Sequence, residues 1–155
     1  MRKLVQIVFF LLAGILLLAC KKEDNLSPEA QLAKDIEKIQ AYLALKNLTA
    51  QSTASGLHYI IEVEGTGEHP TLGNTVTVFY KGYYTDDIIF DQTGTSPATF
   101  PLSGVIKGWQ EGIPLFKRGG KGKLFLPSAL AYGSNPPFGI PKNAVMIFDV
   151  ELVDF

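Results

Sequence analysis

The chain of 155 residues has one cysteine, two histidines and a formal charge of −1 at neutral pH. One cysteine cannot form an internal disulfide, and the sequence has no group of cysteines and histidines with the spacing of a structural zinc site. His58 and His69 are eleven residues apart in unrelated contexts, so we predict no metal site. The near-zero charge also disfavours a nucleic-acid-binding domain, because such domains carry a basic stripe that neutralises phosphates.

The sequence also lacks a long hydrophobic run. The longest one covers 4–19 and has sixteen residues, fewer than the about 20 that span a bilayer comfortably. Two basic residues precede it, so we predict a signal peptide over 1–19. The run ends at Cys20, and 17–19 with this cysteine resemble the lipobox of bacterial lipoproteins, in which the thiol carries diacylglycerol. We therefore expect a lipid anchor and a place in the cell envelope, at the periplasmic face or at the outer membrane or cell surface. The alternative is a buried free cysteine.

A polar tether and a helix follow the anchor. The tether, 20–27, is either a solvated spacer or a stretch that resembles the surface-export signal of some Bacteroidetes lipoproteins. Ser27 and Pro28 suit the N-cap and first position of a helix. Four apolar residues then recur at helical spacing: Leu32, Ile36, Ile39 and Leu43. We predict an amphipathic helix over 28–48, which packs on its own domain, on a partner or on a second copy, and a linker over 49–55.

The rest of the chain, 56–155, is predicted to be one compact β-rich domain. It holds 14 of the 15 glycines, eight of the nine prolines and 14 of the 17 aromatic residues, which are turn formers and strand formers. The sequence pattern predicts strands at 57–64, 75–84, 121–127 and 145–155, with a turn at 85–87 that leads into 88–91. The one helical candidate is 105–115, around Trp109. Because a single short helix can cover one face of a twisted antiparallel sheet, we expect a pocket between the two.

Six motifs occur in order across this domain: 76–82 (VTVFYKG), Phe90-Asp91, 100–102 (FPL), 105–112 (VIKGWQEG), Tyr132-Gly133 and 147–152 (IFDVEL). In order and spacing they resemble the FKBP-type peptidyl-prolyl cis-trans isomerases. With the lipobox and the helix, the whole chain is similar to the lipid-anchored forms of Bacteroidetes. The resemblance implies an α+β fold, in which a five- or six-stranded antiparallel half-barrel wraps round one short helix, preceded here by the amphipathic helix.

The resemblance also implies an apolar cleft that binds proline. Trp109 would form its floor, Tyr132 would offer a hydroxyl to the substrate carbonyl, and Asp91 would be the one carboxylate inside, with Tyr80 as its hydrogen-bond partner. The remaining catalytic-site residues would be aromatic walls and an aliphatic lip: Tyr80, Phe90, Phe148, Val105 and Ile106. Phe138 and Ile140 are expected to overhang the rim.

These residue types suit the isomerisation of X-Pro bonds. Rotation meets a barrier of about 18–20 kcal/mol because resonance makes the C–N bond partly double. A dry aromatic pocket favours the twisted, less polar amide over the planar one, so no metal, nucleophile or cofactor is needed. The implied partners are proline-containing polypeptides, with macrolides of the tacrolimus or rapamycin type as further ligands and no nucleic acid.

The sequence departs from the resemblance at three places, of which Ala98 and the loop 134–141 keep a second function open. Asp86-Asp87 replaces the aspartate-glycine hairpin of many relatives, Ala98 stands where some place another pocket aromatic, and the loop 134–141 is rich in proline. The first interpretation is an isomerase that assists folding outside the cytoplasm, where unaided X-Pro isomerisation takes tens to hundreds of seconds. The alternative is a non-catalytic module of the cell envelope that holds proline-containing segments, as a chaperone does.

Overall fold

The computed structural model of the protein describes residues 26–155. The predicted signal peptide, Cys20 and most of the predicted tether therefore lie outside the described residues. Helix α1, Pro28–Leu45, begins after Ser27, whose hydroxyl oxygen accepts a hydrogen bond from the backbone amide of Ala30. It ends before Asn47, whose positive φ of 54° turns the chain out of the helix. No helix within 26–155 is both long enough and apolar enough to cross a membrane.

Seven strands form one antiparallel sheet. They are β1 (Gln51–Ser52), β2 (His58–Val63), β3 (Thr75–Tyr83), β4 (Ile89–Gln92), β5 (Ala98–Pro101), β6 (Lys121–Leu126) and β7 (Met146–Asp154). Their order is β1-β2-β6-β7-β3-β4, and β5 pairs with β3. The fold confirms the expected antiparallel sheet around a short helix, with more strands than the five or six expected.

Two short strands account for the higher count. Strand β1 lies in the segment 49–55. The small and polar residues of this segment show no strand pattern, yet β1 pairs with β2. Two residues of the segment predicted as a linker therefore belong to the sheet. Strand β5 pairs with the first half of β3, and β4 pairs with the second half, so the long strand β3 carries both on one edge.

The second helix, α2, is shorter than the predicted 105–115. It spans Lys107–Gly112, and a turn of 3₁₀ helix, Ile113–Leu115, follows it around Pro114. It lies on the sheet face that carries Leu124 and Leu126, and the core between them includes fully buried Leu102, Ile113 and Met146.

Helix α1 packs on the opposite face of the sheet. Ile39, Tyr42 and Leu43 of α1 are buried against Phe125 of β6 and Ile147 of β7. Side chains alternate between the two faces of a strand, so these strand residues point away from Leu124, Leu126 and Phe148. The sheet therefore lies between the two helices, and the stripe of α1 is covered by its own chain.

Candidate active site

A cleft of about 470 Å³ opens between α2 and the sheet, a volume within the range of about 300–1,000 Å³ that is typical of small-ligand sites. It is lined by Tyr80, Phe90, Asp91, Phe100, Gly104, Val105, Ile106, Trp109, Tyr132 and Phe148. The eight residues expected at the site from the sequence are all in this set. They come from β3, β4, β7, α2 and the loops before and after, so the fold brings together residues that are far apart along the chain.

Trp109 lies at the bottom of the cleft, and 4% of its surface is exposed. Its indole meets three rings edge-on, with centroid distances of 5.2 Å to Tyr80, 5.3 Å to Phe148 and 5.9 Å to Phe100. Edge-to-face pairs of this kind fix ring orientation. The indole N–H is buried and has no hydrogen-bond partner in the structure. The Trp109 side chain is therefore held by packing and not by a hydrogen bond of its indole.

Tyr80 and Asp91 form the polar pair of the cleft. The Tyr80 hydroxyl donates to the Asp91 carboxylate over 2.6 Å, and the antiparallel register of β3 and β4 places the two side chains near each other. Burial raises the pKa of Tyr80 to about 12, and the hydrogen bond to Asp91 and its negative charge act in the same direction. Tyr80 therefore stays a hydroxyl donor throughout the neutral range.

Asp91 lies at the rim of the cleft and is exposed, although the resemblance implied a carboxylate inside it. Strand β4 is the last strand of the sheet order, so water reaches the carboxylate from the open edge. The desolvation cost that a buried charge incurs is consequently small here. The expected hydrogen bond to Tyr80 is present; the expected burial is wrong.

The lip of the cleft precedes α2. Val105 and Ile106 are half-buried, and the Ile106 carbonyl accepts hydrogen bonds from the amides of Trp109 and Gln110. The Gln110 side chain donates to the Val105 carbonyl over 2.7 Å. The carbonyls of Val105 and Ile106 thus accept hydrogen bonds from residues at the start of α2. The side chains of both residues line the cleft.

Tyr132 closes the cleft from a loop. It follows a turn of 3₁₀ helix, Ser128–Leu130, and 39% of its surface is exposed. The amides of Ala131 and Gly133 both donate to the Ser128 carbonyl, over 3.0 and 2.9 Å. Gly133 has a positive φ of 60°, which glycine adopts without strain.

The cleft also holds Phe100 and Gly104, which the sequence reasoning did not single out as site residues. Phe100 belongs to β5, two residues after Ala98 and therefore on the same face of the strand. Ala98 does not line the cleft, and the Phe100 ring closes that side. The sequence did offer a signal for Phe100, because this residue begins the motif 100–102, one of the six that carry the family resemblance.

The residues that line the cleft do not include Phe138 or Ile140, which were expected to overhang its rim. The Phe138 side chain is fully exposed, and Ile140 is partly buried against the core. Between them Gly139 has a φ of 90°, and the Ile140 amide donates to the Pro137 carbonyl.

Comparison with known proteins agrees with this geometry. Residues 66–153 match the family described as FKBP-type peptidyl-prolyl cis-trans isomerase. The chain is 48% identical over 121 residues to the FKBP-type peptidyl-prolyl cis-trans isomerase FkpA of Aeromonas hydrophila, an alignment that covers 76% of this chain and 45% of that protein. The chain spans about half the length of the curated relatives it matches.

Solved structures show the same fold. The crystal structure of FkpA from Escherichia coli has a TM-score of 0.70 and 38% identity, and covers 81% of this chain and 63% of its own. The structure of a peptidyl-prolyl cis-trans isomerase from Pseudomonas syringae has a TM-score of 0.68 and 29% identity, with 84% of this chain and 96% of its own covered. From its sequence, its fold and the residues of its cleft, the chain belongs to the FKBP-type peptidyl-prolyl cis-trans isomerase family.

Proposed function

We propose that this chain is a peptidyl-prolyl cis-trans isomerase (EC 5.2.1.8) acting on proline-containing polypeptides. The observation that supports this most directly is the composition of the cleft: four aromatic walls and an aliphatic lip surround a buried indole floor. Such a cavity accepts the apolar ring of proline and excludes water from the peptide bond that precedes it. Family membership points to the same reaction.

The cleft favours the transition state over the ground state. A planar amide is strongly dipolar because of resonance, and a twisted amide is less so. Water stabilises the planar form, so transfer into an aromatic site raises the free energy of the ground state relative to the twisted state. The covalent connectivity of the substrate is unchanged throughout, and the groups of this chain act only by binding and orienting it.

The polar groups of the cleft hold the peptide while the bond turns. We assign the Tyr132 hydroxyl and the backbone amide of Ile106 as donors to carbonyls of the substrate. The carboxylate of Asp91, fixed by Tyr80, faces the cleft from its open edge. In this assignment the two donors bind the peptide backbone while the aromatic walls enclose the proline ring.

An isomerisation assay tests the proposal. The full chain should accelerate cis-to-trans conversion of X-Pro peptides, measured by a protease-coupled assay or by NMR exchange. Phe90→Leu should reduce kcat/KM because it removes an aromatic wall. Phe79→Leu is the matched control: it makes the same change on the same sheet, at a residue that does not line the cleft, and should leave kcat/KM unchanged. Tight peptide binding without acceleration would contradict catalysis and favour the binding module.

Trp109 provides a direct measurement of binding. It is the only tryptophan of the chain, and it lines the cleft, so its fluorescence should change when a ligand enters. Macrolides of the tacrolimus or rapamycin type are proposed as such ligands, because the cleft is apolar and edged by hydroxyl donors. A saturable change that a proline peptide competes away would support a shared site, and unchanged fluorescence with unaffected catalysis would contradict macrolide binding.

The proposed location is the cell envelope, with a lipid on Cys20. This proposal is supported by the basic start, the apolar run and the cysteine at its end. Each buried methylene of an acyl chain contributes about 0.8 kcal/mol, so several chains hold a protein on a membrane. Labelled palmitate should enter the wild-type chain, and not Cys20→Ser. Label in both variants would contradict attachment at Cys20, and globomycin sensitivity of the processing step provides a second check.

A further inference from the structure

Helix α1 carries a buried carboxylate that contacts the loop of Tyr132. Asp35 is 0% exposed. It accepts hydrogen bonds from the Ser128 hydroxyl over 2.5 Å, from the Ser128 backbone amide over 2.8 Å and from the Gln31 side chain over 2.7 Å. Burial of a carboxylate is costly unless donors replace the lost water. Two of these three donors belong to a single residue 93 positions away, so the carboxylate is matched to Ser128.

Ser128 in turn fixes the backbone on both sides of Tyr132. Its carbonyl accepts hydrogen bonds from the amides of Ala131 and Gly133, the two neighbours of Tyr132 in the chain. The Gly133 carbonyl accepts another from the amide of Asn143 over 2.8 Å. The direction in which the Tyr132 side chain enters the cleft therefore depends on where the Ser128 peptide is held.

Close packing brings α1 to this loop. Gly56 has a φ of 87°, and a methyl group added there would lie 2.9 Å from Leu32, 3.3 Å from Ile36 and 3.4 Å from Pro127. Helix α1 and Pro127, the residue before Ser128, thus both pack closely against Gly56, which has no side chain. Because the contact is tight, a change in the Asp35 side chain is transmitted to the loop and is not absorbed by empty space.

We propose that Asp35 is a positioning residue for catalysis: acting through Ser128, it sets the orientation of the Tyr132 hydroxyl in the cleft. Helix α1 then contributes to catalysis and is not only a spacer that follows the predicted signal peptide. This inference rests on the proposed function. Catalysis that depends on orientation is sensitive to the support behind the orienting group.

The test uses a double-mutant cycle in the full chain. Asp35→Asn keeps the shape of the side chain but removes its charge and one of its two acceptor oxygens, so the hydrogen bonds from Ser128 lose their charge assistance. We expect kcat/KM to fall about tenfold, mainly through kcat, which is less than the about hundredfold that a misplacement of 1 Å costs. In the Tyr132→Phe background the same change should cost nothing further, because coupled residues are non-additive.

Tyr42→Phe is the matched control. It removes the hydrogen bond from the Tyr42 hydroxyl to Asp87, 2.8 Å long, at the other end of the same helix, and should leave kcat/KM unchanged. An undiminished effect of Asp35→Asn in the Tyr132→Phe background would overturn the proposal, and so would an equal loss in Tyr42→Phe. If Asp35→Asn does not fold, Ser128→Ala takes its place: it removes one of the two Ser128 donors and should show a smaller loss with the same non-additivity.

A spectroscopic measurement keeps the two proposals distinguishable. With 3-fluorotyrosine in the chain, the ¹⁹F signal of Tyr132 is the one missing from Tyr132→Phe. It should shift or broaden in Asp35→Asn and stay in place in Tyr42→Phe. An unmoved signal would overturn the role of Asp35 even in an active enzyme. A wild-type chain without isomerase activity would refute the proposed function, whereas a moved signal in that chain would still establish the link from Asp35 to Tyr132.

Discussion

Two tyrosines of β3 have different roles on the two faces of the sheet. Tyr80 and Tyr83 both lie on β3 and both donate to an aspartate, Tyr80 to Asp91 over 2.6 Å and Tyr83 to Asp149 over 2.8 Å. The first pair lines the cleft, and the second packs beneath α1. Their comparison separates a hydrogen bond that serves the site from one that serves the fold.

Tyr80→Phe should lower kcat/KM while the protein stays folded. The ring keeps its edge contact with Trp109, but Asp91 loses the donor that fixes it. We expect about a fivefold loss, equivalent to ~1 kcal/mol for one hydrogen bond. Tyr83→Phe should lower the free energy of unfolding by a similar amount and leave kcat/KM unchanged. Equal kinetic losses in the two variants would contradict a specific role for the Tyr80–Asp91 pair.

Trp109→Phe should destabilise the protein far less than Trp109→Ala. Alanine leaves a cavity under the cleft, and such truncations cost about 3–5 kcal/mol. Phenylalanine keeps much of the ring contact and also removes an indole N–H that is buried without a partner, so we expect a loss of at most ~1.5 kcal/mol. Urea unfolding followed by circular dichroism measures both variants. Similar losses in the free energy of unfolding of the two variants would show that ring packing does not stabilise the floor of the cleft.

The elements of the fold were predicted to different degrees. The strands β2, β3, β6 and β7 and the position of α2 follow from alternation, from turn residues and from Pro114, and the structure has them within a few residues. Strand β1 has two residues and no pattern of its own, so only its pairing with β2 defines it. The rim position of Asp91 could not be predicted because exposure at a sheet edge depends on strand order and not on local sequence.

The β3–β4 hairpin shows how another element compensates for a local departure. Asp87 occupies the left-handed region at a φ of 64°, where glycine is the favoured residue. Its carboxylate accepts from the Tyr42 hydroxyl and pairs with Lys46 over 2.6 Å. These contacts with α1 hold the hairpin in place. The sequence alone could not show this because the partners are more than 40 positions apart.

Gly108→Ala should loosen α2 from the sheet. Alanine is the better helix former by about 1 kcal/mol, but its methyl group would overlap the buried side chain of Leu126 and lie 3.2 Å from the Leu130 carbonyl. Overpacking costs about 1–3 kcal/mol, so we expect a net loss of up to ~2 kcal/mol and, because Trp109 is the next residue, lower activity. Gly94→Ala, where nothing lies within 4 Å, is the control and should be neutral or slightly stabilising. A larger loss of stability in Gly94→Ala than in Gly108→Ala would contradict close packing of α2 on the sheet.

Across the whole molecule, oppositely charged side chains form a ladder over several strands. Lys81 and Lys123 both pair with Asp149, over 2.9 and 2.7 Å, and Lys121 pairs with Glu151 over 2.9 Å. The net charge of −1 gives no indication of this arrangement. The face of each strand residue could be inferred from the alternation, but the pairing of charges depends on which strands become neighbours, and the sequence does not state that order.

Asp149 makes the stability of the molecule sensitive to acid. Its burial acts to raise the pKa, but hydrogen bonds from Lys123, Lys81 and Tyr83 outweigh it and hold the pKa below the ordinary value. The folded state therefore binds this proton less readily than the unfolded chain does. The resulting stabilisation is complete above the unfolded pKa of about 3.9 and is lost as the pH falls through the lower folded value.

Urea unfolding between pH 7 and pH 2 measures this dependence. The free energy of unfolding of the wild-type chain should stay level down to about pH 4 and then fall. Asp149→Asn should be less stable at pH 7 and should fall less steeply, because its amide does not titrate in that range. Asp87, whose pKa is lowered by hydrogen bonds from Lys46 and Tyr42, is fully exposed and should contribute little of the slope. Parallel curves for the wild type and Asp149→Asn would contradict the assignment, since the acid loss would then come from other carboxylates.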